Sequence, residues 1–128
     1  MLCCLGDLLE DIAVGRPDHI LSGADTHVRI ERRRGGSAAN TAVAAATLGL
    51  PVRFIGRVGD DAVGRGLVDA LVAAGVDARV QVGGRTGTIV VLVEEDGDRT
   101  MLGDRGASAD LEDLLPSDLD NVTWLHVP

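Results

Sequence analysis

Residues 35–49 read GGSAANTAVAAATLG, a glycine pair, an asparagine four residues after Gly36, and then an almost unbroken run of small side chains ending at a glycine. Ser37 suits the N-cap of a helix, the alanines favour helix, Gly49 suits a C′ stop and Pro51 prevents continuation. Ala38, Ala39, Ala42, Ala44, Ala45 and Ala46 leave hardly a bulky group on any face, so the expectation is an interior helix approached closely on several sides.

Alternation of strand and helix continues on both sides of this stretch and predicts an α/β domain. Residues 2–5 form a short apolar run suited to a buried first strand, with Asp7 to Asp11 at its end. Residues 27–31, HVRIE, alternate like a half-exposed strand. The next buried strand spans 52–58, and Asp60 or Asp61 caps a helix whose stripe of Val63, Leu67, Ala70, Leu71 and Ala74 ends at Gly75. Strands are expected at 78–82, 88–93 and 99–103, with EEDGD closing a hairpin between the last two. A short helix near 109–115 and a buried strand at 123–127 complete the chain.

Charge and composition exclude several functions. The net charge is −8, from 12 basic and 20 acidic residues, with one Trp, one Phe and no Tyr. Such a chain repels polyphosphate and offers no stacking platform, which argues against nucleic acid; Arg32, Arg33 and Arg34 read as a solvated turn. All twelve basic residues are arginines, and with no lysine the chain can build neither a Walker A loop nor a pyridoxal Schiff base. No apolar run approaches the roughly 20 residues of a membrane span, and the N-terminus lacks the basic start of a secretory signal, so a cytoplasmic protein is expected. Cys3 and Cys4 are adjacent and read as buried strand thiols.

A glycine turn opening a helix presents backbone N–H groups to an anion or to hydroxyls. The adjacent glycines, preceded by three arginines, do not make the GxGxxG of a dinucleotide fold. Asn40 stands out, because a carboxamide about one turn into an apolar helix needs partners. Either it bonds to the backbone of the glycine turn, or it reads a ligand hydroxyl at a place that Asp11 also faces.

The spacing of Gly35, Gly36, Ala38, Asn40, Ala42, Gly49 and Gly59 resembles the N-terminal signature of the PfkB or ribokinase-type carbohydrate kinases. LGDLLEDI resembles the family's first strand, GDDAVGRGLVDALVAAGVD its second conserved helix, and TGTIVVLVEEDGDRTML the segment that follows. The resemblance implies a three-layer α/β/α ribokinase-like fold with a small β-lid drawn from 27–31 and part of 78–103. It implies a substrate-binding set of Asp11, Gly35, Gly36 and Asn40, with Asp11 accepting from hydroxyls, Gly36 allowing close backbone approach and Asn40 bonding a further hydroxyl.

Departures limit the substrate. Leu9 stands where ribokinases carry asparagine and Ser37 where they carry lysine, and GGSAAN is as close to nucleoside kinases as to pentose kinases. His19, His27 and His126 have no counterpart and read as surface or strand residues, and Arg105 as a solvated hairpin-end residue rather than a contact for an acidic substrate. The Gly-Ala-Gly-Asp motif that supplies the family's base and anion hole occurs nowhere in the 128 residues, nor does its metal-associated Asn and Glu motif. Residues 1–128 are therefore expected to be the substrate-binding part of such a domain, inactive alone, with ATP and Mg2+ required by the complete enzyme and self-association through the lid or an open sheet edge. The alternative is a non-catalytic polyol-binding or interaction module ending at Pro128.

Overall fold

The computed structural model describes residues 1–15, 22–93 and 96–128. Among the described residues, eight strands form two four-stranded sheets. The first is parallel, in the order β5 (Asp77–Val82), β4 (Val52–Val58), β1 (Leu2–Leu5), β8 (Trp124–His126). The second runs β3 (Ile30–Gly35), β2 (Leu9–Val14), β6 (Thr86–Val93), β7 (Arg99–Gly106), with β2 parallel to β6 and the outer pairs antiparallel. We term this second sheet the lid, and the architecture is the α/β arrangement that the resemblance implies.

Helices α1 (Ser37–Thr47) and α2 (Ala62–Ala73) join one core cluster with Cys4, Leu8, Val52, Phe54 and Val58. Phe54, Leu8 and Leu71 are its largest fully buried members. Of the expected α2 stripe, Leu67 and Leu71 are buried and Ala74 is half-buried, whereas Val63 and Ala70 are exposed; Gly64 lies on the buried face instead. Asp61 is the N-cap of α2, its Oδ1 accepting from Gly64 N–H at 2.7 Å. The same carboxylate accepts from Thr86 N–H (2.8 Å) and Thr86 Oγ1–H (2.6 Å), and so ties the start of α2 to the start of β6 in the lid.

The other side of the parallel sheet is held by arginines. Arg53 is 5% exposed; its Nε donates to Asp77 at 2.8 Å and its Nη1 to the Asp118 and Asp120 carbonyls. Arg57 donates to the Asp110 carbonyl and to Glu112. Together they strap residues 110–120 across the sheet, and these bonds offset part of the cost of desolvating the two guanidinium groups, although the buried Arg57 Nε has no partner among the described residues.

Several expectations need correction. Asp11 is not at the end of the first strand; Leu9–Val14 is a separate strand of the lid. The half-exposed strand starts at Ile30 and runs through Arg32, Arg33 and Arg34, because pairing with β2 holds these arginines extended where composition alone reads a turn. Of residues 78–103, part of which supplies a lid candidate, 78–82 lie in the parallel sheet and β6 and the start of β7 in the second sheet. Gly36 rather than Ser37 is the N-cap of α1, with φ 102° and no side-chain cap. That helix buries only Ala38, Ala39, Ala42 and Ala45, while Ser37, Asn40, Ala44 and Thr47 are exposed. The expected helix near 109–115 is replaced by two 3-10 turns, Ala107–Asp110 and Pro116–Leu119; in between, the Asp110 carbonyl accepts from Arg57, and Glu112 exchanges backbone hydrogen bonds with the Gln81 side chain rather than with helical neighbours. Strand β8 is exposed, with Trp124 at 76%. Cys3 and Cys4 are free and buried, as expected. His19 and the Glu94 and Glu95 of the hairpin turn lie outside the described residues.

Candidate functional site

The site lies where the lid meets the glycine turn. Asp11 sits in the middle of the lid sheet, opposite Arg33 of β3 on one side and Ile89 of β6 on the other. Its carboxylate folds back over Gly35: a Cβ built on Gly35 would collide with Asp11 Oδ1. Among the described residues nothing donates a hydrogen bond to this carboxylate. Burial without a partner pushes its pKa up from the ordinary 3.8. The neighbouring Glu10 is instead paired, accepting from Arg32 at 2.8 Å.

The glycine pair is demanded by packing. A side chain on Gly36 would strike the Asp7 carbonyl, and φ of 102° is left-handed space that L residues avoid. The close approach that this glycine permits is thus to the chain's own backbone at Asp7. Gly49 ends α1 at φ 79°, and Gly59 lies under the backbone of Thr86, its N–H donating to Thr86 Oγ1 at 3.0 Å. Ala38 and Ala42 are fully buried against the sheet. The other residues of the glycine signature therefore have a packing reason, or in Gly49 a backbone one, with Asn40 as the exception.

Asn40 is exposed, one turn into α1, with its backbone N–H bonded to Gly36 O at 2.9 Å. Its side chain does not turn back to the glycine loop. Oδ1 accepts from Nε (3.3 Å) and Nη2 (3.2 Å) of Arg34. An arginine has no acceptor, so the amide atom facing it is the oxygen, and the two Nδ2 hydrogens face away. Along the arc from Gly35 to Asn40, the Asp11 carboxylate thus stands over Gly35, and the Asn40 amide, one turn beyond Gly36, is tied to Arg34.

Beside this arc, Leu5, Gly6, Asp7, Ser37, Arg105 and Ser108 border an open cleft of about 410 Å3. Arg105 is not merely solvated. Its Nε and Nη2 grip the Asp7 carboxylate at 2.9 and 2.6 Å, joining the exit of β1 to the end of the lid. Asp7 and Arg34 escaped the sequence reading. Arg34 carried one usable signal, its position directly before the glycine pair.

The chemistry available is recognition of hydroxyls: a lone carboxylate that can only accept and a carboxamide with donors to spare. A magnesium nucleotide is a poor match for the donors present. Among the described residues no three His, Cys, Asp or Glu side chains group to hold a metal. The arginines around the turn are already engaged, Arg32 with Glu10, Arg33 with Glu31, Arg34 with Asn40 and Arg105 with Asp7. No helix among the described residues is long and apolar enough to cross a membrane.

A lid sheet set over a glycine turn and an alanine-rich helix, with an aspartate and an asparagine at their junction, is the frame of a sugar-kinase fold. The chain belongs to the pfkB family of carbohydrate kinases, whose family model matches residues 1–127. A fructokinase of Klebsiella pneumoniae is 41% identical over 109 residues, covering 80% of this chain and 35% of that protein. A 5-dehydro-2-deoxygluconokinase of Geobacillus kaustophilus is 35% identical over 122 residues, covering 88% and 36%. Among solved structures, Arabidopsis thaliana ribokinase complexed with ribose and ATP superposes with a TM-score of 0.80 at 28% identity, over 98% of this chain and 44% of that one. The chain spans about a third of the length of these curated relatives.

Proposed function

We propose that this chain supplies the acceptor-binding part of an ATP-dependent kinase that phosphorylates a primary hydroxyl of a sugar or nucleoside. The observation that carries this reading is the Asp11 carboxylate, partly buried, without a partner, and held over Gly35 beside the helix that bears Asn40. Leaving a carboxylate desolvated and unpaired costs stability, and a substrate hydroxyl would offset that cost by donating to it.

In this reading Asp11 accepts hydrogen bonds from the acceptor, Asn40 donates to another of its oxygens, and the two glycines keep the turn tight enough to bring these groups together. The lid sheet shields the bound polyol from water on the β2 and β6 side. The phosphoryl donor is ATP with Mg2+, and its binding residues, the base and the anion hole are assigned outside residues 1–128. A cytoplasmic setting and self-association through exposed apolar side chains belong to the same proposal.

Reading the gene in frame beyond the codon for Pro128 tests this directly. A Gly-Ala-Gly-Asp motif in the following codons is expected, because its aspartate and backbone supply the parts of phosphoryl transfer that these residues lack. A stop codon there would overturn the kinase reading and leave a polyol-binding module.

A further inference from the structure

The three consecutive arginines of β3 have different partners. Arg32 pairs with Glu10 and Arg33 with Glu31. Arg34 lies opposite Glu10 in the strand register, but that carboxylate is taken by Arg32, and the acceptor left to Arg34 is the neutral Oδ1 of Asn40. Two N–H groups converge on this one oxygen and fill both its lone pairs. The amide hydrogens of Asn40 are left with no acceptor among the described residues, on the exposed face of α1.

We infer that Arg34 is a positioning residue which fixes Asn40 as a pure hydrogen-bond donor towards a bound polyol. This rests on the substrate-binding reading given above. A free asparagine can flip its amide and present either an acceptor or a donor, and it loses that freedom on binding. Here the flip would set the amide N–H2 against a guanidinium that can only donate, so one orientation is selected before any ligand arrives. Asp11, which can only accept, and Asn40, which can only donate, then define a polarity for the ligand: one hydroxyl must give its hydrogen and another oxygen must receive one. A turn of solvated arginines has no such consequence, and neither neighbour of Arg34 can substitute, since each is held by a carboxylate.

The test uses the 128-residue chain labelled with 15N. In the wild type the Asn40 side-chain amide is expected as two resolved proton signals displaced from those of exposed asparagines. Arg34→Met keeps an unbranched apolar stem and removes the guanidinium donors; it should move these signals towards free-asparagine values. The variant should also weaken binding of D-fructose and D-ribose by roughly threefold to tenfold, the worth of one ordinary hydrogen bond, with an unchanged melting temperature. Arg34→Lys, which keeps a cationic donor nitrogen but not the paired Nε and Nη2 geometry, should fall between the two. Unchanged Asn40 signals in Arg34→Met would overturn the inference without reference to any ligand. So would unchanged affinity in that variant when Asp11→Asn abolishes binding. If neither sugar binds the wild type, or if binding survives Asp11→Asn, the substrate reading itself fails and this inference fails with it.

Discussion

The Asp11 carboxylate occupies the space that a side chain on Gly35 would need. The two residues are neighbours across the β2–β3 ladder, where Gly35 pairs with Leu9 and Arg33 with Asp11. Gly35→Ala should therefore eject the carboxylate and open the ladder beside it, at a cost of about 1–3 kcal/mol of overpacking. Chemical denaturation of the variant checks the stability. A variant as stable as the wild type would mean that Asp11 can rotate away freely and that its pose over the glycine is not enforced.

Stability should be sacrificed at Asp11. Burial raises its pKa, so between the unfolded value and the raised native one the folded chain binds more protons than the unfolded chain. Stability due to this group is therefore greatest at low pH, falls as the pH rises through that window, and stays reduced above it. Asn at this position removes the charge, so Asp11→Asn should melt higher than the wild type at pH 7. The gain should vanish below the ordinary carboxylate range. A variant that melts lower at neutral pH would show that the carboxylate has a stabilising partner in the native state.

Asp61 has the opposite sign. The Thr86 hydroxyl, the Thr86 N–H and the Gly64 N–H all donate to it and hold its pKa below the usual 3.8. Its contribution is complete above the unfolded pKa and is lost as the pH falls through the lower native value. Asp61→Ala removes both the α2 cap and the tie to the lid, with an expected loss of about 2–4 kcal/mol at pH 7 that shrinks on acidification. A pH-independent loss would assign the effect to the helix cap geometry rather than to the charge.

Apolar groups on two surfaces should drive association. Trp124, Leu125 and Val127 are exposed at and beyond strand β8, the edge of the parallel sheet, and Ile30, Met101 and Leu102 are exposed on the lid. Open edges of this kind recruit further strands. Sedimentation velocity should show species heavier than the 13.3 kDa monomer at micromolar concentration and above, and Trp124→Lys should reduce them. A single monomeric boundary across that range would contradict the prediction.

Those surfaces also mark where the sequence could be read and where it could not. Helix α2 announced itself, because Leu67 and Leu71 four residues apart and an aspartate cap are local features that tertiary contacts reinforced. The glycine turn was equally plain, since left-handed backbone at Gly36 and steric contact at Gly35 leave no other residue. Strand β2 was hidden, because LEDIAV mixes two acids with apolar residues and becomes a strand only through pairing with β3 and β6 on both sides. Arg53 and Arg57 interrupt a strand that otherwise reads as buried, and their guanidinium groups are claimed by residues 110–120, about fifty to seventy positions away. No local pattern encodes such a partner. The site shows the same division: Asp11 and Asn40 could be singled out by type and spacing, whereas the engagement of Asn40 by Arg34 and of Asp7 by Arg105 depends on where the lid lands.

The central claim is that Asp11 and Asn40 hold the hydroxyls of a polyol at the glycine turn, and titration of the 15N-labelled chain with D-fructose and D-ribose tests it most directly. The account predicts saturable shifts centred on residues 9–13 and 35–41, with an affinity on the order of millimolar for so open a site, lost in both Asp11→Ala and Asn40→Ala. Shifts located elsewhere, or binding that persists in both variants, would contradict it.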